Sequence, residues 1–264
     1  MLEVKNISKT FNPGTINEKH ALTNLSLSLN DGDFVTVIGG NGAGKSTLLN
    51  AVAGVWPVDG GAVMIDGMDV TGMPEYKRAK YIGRVFQDPM MGTAPNMQIE
   101  ENLALAYRRG KKRGLRWGVT AAEREFYREK LATLGLGLED RLTAKVGLLS
   151  GGQRQALTLL MASLQTPKLL LLDEHTAALD PATAQKVLEL SDRIISENKL
   201  TALMITHNMS DAIRHGNRLI MMDRGRIVLD ISGEEKKRLT KADLLARFAE
   251  KAGVQEETDS VLLS

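Results

Sequence analysis

The chain has 264 residues, of which 43% are hydrophobic, enough for one large domain or for a domain with a subdomain. A net charge of +2, from 34 basic and 32 acidic residues, gives no global field that would attract nucleic acid or an anionic membrane. Because the sequence contains no cysteine, disulfides, thiol catalysis and thiolate metal sites are excluded.

The N-terminal quarter of the sequence predicts β-structure followed by a strand, a loop and a helix. Residues 2–7 and 22–29 alternate apolar and polar side chains, which indicates half-buried antiparallel strands. Residues 34–38 are instead a nearly continuous apolar run, typical of a parallel strand that is covered on both faces. The residues after Lys45 suit a helix.

The loop between that strand and that helix fits the pattern G-x-x-x-x-G-K-[ST]. Successive backbone N–H groups of such a loop, at a helix N-terminus, favour an anion. Lys45 would reach the β- and γ-phosphates of a nucleotide, and the Ser46 hydroxyl would bind Mg²⁺. The alternative is an ordinary glycine-rich turn, but the strand and helix on either side favour a phosphate loop. Its nucleotide-binding residues would be Gly39, Gly40, Asn41, Gly42, Ala43, Gly44, Lys45, Ser46 and Thr47.

The middle of the chain predicts a helical subdomain. A further strand, residues 81–86, ends at Gln87, and the sequence is then irregular to residue 96. From residue 99 to about residue 164 the pattern is helical. The side chains at helical spacing include Glu100, Leu103, Tyr107, Phe126, Lys130 and Leu134.

Two predicted parallel strands then place polar groups at one edge of a sheet. The first carries four leucines followed by Asp173 and Glu174, and the second ends at His207. In a phosphate-loop enzyme Asp173 would hold Mg²⁺ and Glu174 would polarise the attacking water as general base. His207 would hydrogen-bond the γ-phosphate. The alternatives are a surface helix cap for the two acids and a packing or surface role for the histidine.

The last third of the sequence predicts a helix, a hairpin and a tail. Asp180 and Pro181 are an N-cap and first-turn proline that would begin a helix. Residues 218–223 and 226–231 form a predicted hairpin. In the tail after it, Thr240 and Asp243 would cap a short helix.

A further motif, Leu149-Ser150-Gly151-Gly152-Gln153, lies about a hundred residues beyond the phosphate loop. A serine-glycine pair before a helix is unremarkable by itself. The phosphate loop, Gln87, this pentapeptide, the Asp173–Glu174 strand, Asp180 and His207 follow one another in the order that is typical of the ATP-binding-cassette (ABC) ATPase family. Residues 1–230 resemble that family. The resemblance implies that Phe11 stacks on adenine, with an ordinary core position as the alternative. It also implies that Gln87 senses Mg²⁺ and the lytic water, and that Asp180 crosses a dimer interface. Residues Ser150, Gly151, Gly152 and Gln153 would bind the γ-phosphate held by the other subunit.

His175 departs from the family pattern, because most relatives have proline or another small residue after the catalytic pair. Either it tunes that loop or it has no role.

The fold implied by the resemblance is α/β: a phosphate-loop NTPase core with a mainly parallel sheet, an N-terminal antiparallel β-subdomain and an inserted helical subdomain. We expect an ABC ATPase domain over residues 1–230, with its core in 1–88 and 165–230 and the helical subdomain in 89–164. Residues 231–264 would be a C-terminal tail with a short helix.

The function implied is that of an ABC transporter ATPase subunit with ATP and Mg²⁺ as cofactors. Two such subunits dimerise head-to-tail around two ATP–Mg and drive a separate integral membrane permease. The partner subunit would be a second copy of this chain or a homologous ATPase subunit. A permease helix would dock in a groove lined by residues 88–98, whose methionines Met90, Met91 and Met97 could equally be core. Since no apolar run approaches the roughly 20 residues that span a bilayer and no signal peptide precedes the domain, we expect a cytoplasmic protein, peripheral on the inner face of the cell membrane.

Import is the expected direction. Residues 11–22, 76–93, 101–110 and 173–180 look similar to a bacterial uptake subgroup that works with an extracytoplasmic solute-binding lipoprotein and carries aromatic or other amino acids. The alternatives are an ABC exporter ATPase and a soluble ABC ATPase of cofactor assembly. A non-hydrolysing switch is disfavoured because Glu174 and His207 are both present.

A basic run over residues 108–116 has six basic residues in nine. We expect a solvated loop there, with anionic lipid headgroups as the alternative. Too few aromatic residues accompany the run for a nucleic-acid partner.

Overall fold

The computed structural model of the protein describes residues 1–111 and 118–252, so most of the basic run lies outside the described residues. The strands are β1 (Leu2–Phe11), β2 (Lys19–Leu29), β3 (Phe34–Ile38), β4 (Gly60–Ile65), β5 (Met68–Asp69), β6 (Ile82–Val85), β7 (Leu169–Asp173), β8 (Thr201–Ile205), β9 (Arg218–Asp223) and β10 (Arg226–Ser232). The helices are α1 (Lys45–Ala53), α2 (Glu75–Arg78), α3 (Ile99–Tyr107), α4 (Ala121–Ala132), α5 (Gly151–Ser163), α6 (Pro181–Glu197), α7 (Met209–Arg214), α8 (Gly233–Arg238) and α9 (Lys241–Ala252). Within the described ranges, no helix is both long and apolar enough to cross a bilayer.

The strands form two sheets. The first has the order β2-β1-β4-β5 and is antiparallel throughout. The second has the order β10-β9-β3-β8-β7-β6, in which all neighbours are parallel except the edge strand β10. The predicted α/β fold class, with a mainly parallel sheet and an N-terminal antiparallel one, is confirmed.

Strand β7 shows why its sequence is apolar without alternation. Leu170 and Leu172 pack on one face of the sheet in a core shared with helices α3 to α6. Leu169 and Leu171 pack on the other face, in a core shared with the antiparallel sheet and α1. A strand buried on both faces needs apolar residues at every position. Its polar end, Asp173, is thereby delivered to the carboxyl edge of the sheet.

The helical prediction for residues 99–164 was too broad. Helices α3, α4 and α5 are present, but residues 133–150 contain only one 3-10 turn, Val146–Leu148. The physical reason lies at the start of α3, where the N–H groups of Ile99 and Glu100 donate to the carbonyls of Ala144 and Leu142. A helical segment would have used those carbonyls itself. Phe126 and Lys130 lie in α4, and Leu134 lies two residues beyond it.

Other element boundaries also differ from the predicted ones. Strands β1 and β2 extend further than the alternating pattern, and β8 ends at Ile205, two residues before His207. Strand β10 continues through Ser232, past the domain boundary expected at residue 230. The predicted hairpin of β9 and β10 is confirmed, as is the helix in the tail, where the Asp243 N–H donates to Thr240 Oγ1 at 3.2 Å.

Candidate functional site

The phosphate-binding loop joins β3 to α1 and depends on glycine. Gly44, the N-cap of α1, has φ +101°, a conformation that L side chains rarely adopt. A Cβ at this position would lie 2.5 Å from the carbonyl oxygen of Ala21. The close approach of β2 therefore requires glycine where the loop meets the helix. The geometry leads the chain directly into a helix N-terminus, where N–H groups lack intrahelical partners and attract anions.

Lys45 folds back over this loop. Its side chain is buried, and its ammonium group donates to the carbonyls of Gly39 at 2.6 Å and Gly40 at 3.1 Å. Burial lowers the pKa of Lys45, and the charges of Glu174 and Asp173 oppose that shift. The loop with its lysine and the two carboxylates thus form one electrostatic unit, although they come from two separate segments of the chain.

Asp173, the last residue of β7, contacts the side chain of Arg84, which the sequence did not predict as part of the site. Arg84 on the neighbouring strand β6 donates to Asp173 Oδ2 at 3.3 Å and to Asn50 Oδ1 at 2.8 Å. Burial raises the pKa of Asp173, and the Arg84 charge opposes that rise. The sequence does carry an indication of this pair, because Arg84 is a charged residue among the apolar residues of β6. Such a residue is rarely buried without a partner.

Glu174 has a strained backbone. Its φ is +43°, in the left-handed region that costs a non-glycine residue about 1–2 kcal/mol. The Glu174 N–H donates to the carbonyl of Ile205 at 3.1 Å, which ties the residue to the end of β8. Strain of this kind persists only where the surrounding structure holds it, and it concentrates at functional sites.

Phe11 and Glu174 line the same cavity as the phosphate loop. This cavity has a volume of about 360 Å³, and Lys19 and Ala21 of β2 complete its wall. Phe11 is half-buried, with its ring 4.9 Å from that of Trp56 in an edge-to-face arrangement. A fully packed core position is therefore wrong for Phe11, which lies at the wall of the cavity. The loop residues of this cavity are Asn41, Gly42, Ala43, Gly44, Lys45, Ser46 and Thr47.

Six of the remaining predicted residues line three other cavities, and Gly39, Gly40, Gly151 and Asp180 line none of these. Gln87 and Asp173 share one of about 630 Å³. His207 is exposed and lines another of about 380 Å³, beside Leu179. Ser150, Gly152 and Gln153 line a third of about 590 Å³. None of the residues that line this third cavity also lines the phosphate-loop cavity. Ser150, Gly152 and Gln153 therefore share no cavity with the phosphate loop of the same chain.

The segment at residues 150–153 begins α5 and packs on the start of α6. The Gln153 N–H donates to Ser150 Oγ at 3.3 Å, and the Ser150 N–H donates to Gln153 Oε1 at 3.2 Å, a reciprocal capping box. Asp180 caps α6 by accepting from the Thr183 N–H at 3.0 Å. Hydrogen bonding, first from the Thr183 side chain and then from its backbone, lowers the pKa of Asp180.

Gly152 is the contact point between these two helix starts. A Cβ on Gly152 would lie 2.2 Å from Cγ2 of Thr183. We therefore expect Gly152→Ala to destabilise the protein by about 1–3 kcal/mol through overpacking. Thermal unfolding would measure the loss. The double variant Gly152→Ala with Thr183→Ser, which removes the opposing methyl group, should recover most of it. An unfolding midpoint unchanged by Gly152→Ala would contradict this packing role.

The donor set of the site suits Mg²⁺. Among residues 1–111 and 118–252, no three His, Asp or Glu side chains converge on one point. The predicted ligands are instead one carboxylate, Asp173, with the neutral oxygens of Ser46 and Gln87. Mg²⁺ prefers oxygen ligands and is often held by one or two carboxylates together with substrate phosphates. The residues therefore fit a metal that arrives with a nucleotide.

The fold and the loop define an α/β nucleotide hydrolase, and comparison with known proteins narrows the class. A family profile described as "ABC transporter" matches residues 22–177. The tyrosine transport ATP-binding protein of Clostridioides difficile is 46% identical over 253 residues, covering 94% of this chain and 98% of that protein. The spermidine/putrescine import ATP-binding protein PotA of Haemophilus influenzae is 31% identical, covering 98% of this chain and 65% of that protein.

A solved structure agrees with these relatives. It is an ATP-binding cassette in a dimeric, post-hydrolysis state bound to ADP and Pi. Its TM-score is 0.74 at 30% sequence identity, covering 88% of this chain and 98% of that one. The chain therefore belongs to the ABC transporter family, as an ATP-binding subunit with ATPase activity.

Proposed function

We propose that this ATPase subunit works as a head-to-tail dimer around two ATP–Mg and drives a separate permease that imports an amino acid, with tyrosine as the first candidate. One observation that supports the dimer is that Ser150, Gly152 and Gln153 line a cavity other than the phosphate-loop cavity of the same chain. A second copy would supply this segment to the loop. The ADP-bound relative is described as a dimer, which supports the same arrangement.

Each half of the composite site has its own residues. In one chain, Lys45 binds the β- and γ-phosphates and Phe11 packs on adenine. Glu174 polarises the attacking water from the wall of the phosphate-loop cavity. His207 hydrogen-bonds the γ-phosphate. Mg²⁺, held by Ser46, Asp173 and Gln87, would neutralise charge on the phosphates.

The partner copy completes the site with Ser150, Gly151, Gly152 and Gln153. Their position at the N-terminus of α5 suits them for the γ-phosphate, because this helix end presents N–H groups and a positive dipole. Asp180 reaches across the interface from the same region, since Gly152 packs on Thr183 in the first turn of α6. Because each ATP would contact both copies, closure of the dimer and binding of ATP would then be coupled.

The permease would dock in the cavity next to the metal-binding residues. Val55, Phe86 and Met91 give this cavity a largely apolar wall, and Gln87 and Asp173 lie in it. Met91 is 69% exposed and Met90 is 42% exposed, so neither is a core residue. Exposed apolar side chains at one edge of a surface are typical of a protein contact. A permease helix bound there would contact Gln87 directly and would respond to changes in its position.

The domain division, location and remaining partners follow from this proposal. The core of residues 1–88 and 165–232, which now includes all of β10, would bind ATP. The helical subdomain of residues 89–164 would carry residues 150–153 of the partner's half-site, and the residues after Ser232 would form the tail. The protein would lie on the cytoplasmic face of the membrane beside its permease. An extracytoplasmic solute-binding protein would deliver the cargo, and the tyrosine transport relative supports an amino acid.

Co-purification and uptake test the proposal together. The chain, isolated from native membranes, should bring an integral membrane protein with it. Cells that lack the chain should lose uptake of labelled tyrosine, and the wild-type chain should restore it. Lys45→Met, which removes the ammonium group proposed to bind the phosphates, is the negative control. Isolation without any membrane partner would favour a soluble ABC ATPase, and cells that retain more tyrosine without the chain would favour export.

A further inference from the structure

His175 follows Glu174 directly, and its side chain is buried against α6. Only 2% of the residue is exposed. Its Nε2 lies 2.9 Å from Oγ of Ser191, which is itself 1% exposed in the middle of that helix. A buried polar pair of this kind fixes the relative position of the two segments that carry it. Here those segments are the loop after β7, which carries Glu174, and helix α6, which Asp180 caps.

The direction of the hydrogen bond follows from a third group. The Ser191 hydroxyl donates its hydrogen to the carbonyl of Val187 at 2.8 Å. Ser191 Oγ therefore accepts from His175, whose Nε2 carries the hydrogen. Burial lowers the pKa of His175 to about 4, with a smaller contribution from the nearby His215, so the ring is neutral at neutral pH. A neutral donor in a fixed tautomer is suited to holding a position.

We propose that the His175–Ser191 pair positions Glu174 by holding the backbone after it, so that His175 is a positioning residue for hydrolysis. The Glu174 N–H is tied to Ile205 on one side. The His175 side chain ties the other side to α6. Glu174 lies between these two anchors with a φ of +43°. This inference rests on the proposed role of Glu174 as general base.

The test compares three variants with one control. Ser191→Ala and His175→Leu remove the hydrogen bond, whereas His175→Gln retains an N–H donor near the position of Nε2. The matched control is Ser196→Ala, because Ser196 is exposed on the same helix and its hydroxyl likewise donates to a backbone carbonyl, that of Arg193 at 3.0 Å. The readouts are kcat for ATP hydrolysis, ATP affinity, and amide hydrogen exchange in the segment of residues 173–180.

Ser191→Ala and His175→Leu should lower kcat about tenfold, since small displacements of a reacting group are costly. Amide exchange should rise in residues 173–180 while ATP affinity stays near that of the wild type. His175→Gln should recover most of kcat, and Ser196→Ala should change neither quantity. A purely structural role would instead lower stability and ATP affinity together.

Two results would overturn the inference, and they differ from each other. Wild-type kcat and exchange in Ser191→Ala, while Glu174→Gln is inactive, would remove the positioning role and leave the proposed function standing. Near-normal hydrolysis by Glu174→Gln would instead remove the general base itself, and the positioning role would fall with it. Should His175→Leu fail to fold, Ser191→Ala and His175→Gln still decide the question.

Discussion

Glu174→Gln is expected to lower the rate of ATP hydrolysis about a hundredfold or more while ATP binding persists, because general-base catalysis typically contributes 10²–10⁴-fold. Glutamine has nearly the same shape as glutamate, so the wall of the phosphate-loop cavity should be unchanged. What is lost is the carboxylate that we propose as the acceptor of a proton from the attacking water. If ATP holds the proposed dimer together and hydrolysis releases it, the variant should accumulate as an ATP-bound dimer.

Single-turnover hydrolysis and size-exclusion chromatography in the presence of ATP measure the two effects. The control is Glu197→Gln, which removes an exposed carboxylate at the far end of α6 and should hydrolyse ATP at the wild-type rate. A single-turnover rate for Glu174→Gln close to that of the wild type would show that another group acts as the base.

The elements predicted best were those whose signals are local. The apolar run of residues 34–38 coincides with β3, and the cap of Asp180 and Pro181 coincides with the start of α6. Strand β4 was missed because it begins with Gly60 and Gly61, and glycine is depleted in strands. It is held in the sheet by pairing with β1, about 60 residues earlier in the chain, and no local pattern reports such a partner.

The site divides in the same way. Residues of the phosphate loop and the Asp173–Glu174 pair follow from spacing alone, because glycine, lysine and the acids sit in fixed order around a strand end. Spacing does not predict three further contacts of the site. These are the pairing of Arg84 with Asp173, the packing of Gly152 on Thr183 and the bond from His175 to Ser191. Each joins residues at least 16 positions apart on different elements, and only tertiary packing brings them together.

Ser150→Ala is expected to lower hydrolysis by the dimer about tenfold to a hundredfold without weakening nucleotide binding by the isolated chain. The hydroxyl is proposed to contact the γ-phosphate of the partner's ATP, and removing one donor to developing charge has cost about 10²–10³-fold elsewhere. The same change also removes the N-cap of α5, worth about 1 kcal/mol. Thr120→Ala is the matched control, since Thr120 forms the same capping box with Glu123 at the start of α4.

Mixed dimers separate a role within one chain from a role across the interface. One dimer carries Lys45→Met in one copy and Ser150→Ala in the other; a second carries both changes in one copy beside a wild-type partner. If Ser150 serves the partner's phosphate loop, the first dimer has both changes in one composite site and retains an intact second site. The second dimer then has both sites damaged and should be nearly inactive. The opposite order of activities would place Ser150 with its own phosphate loop, and the head-to-tail arrangement would be wrong.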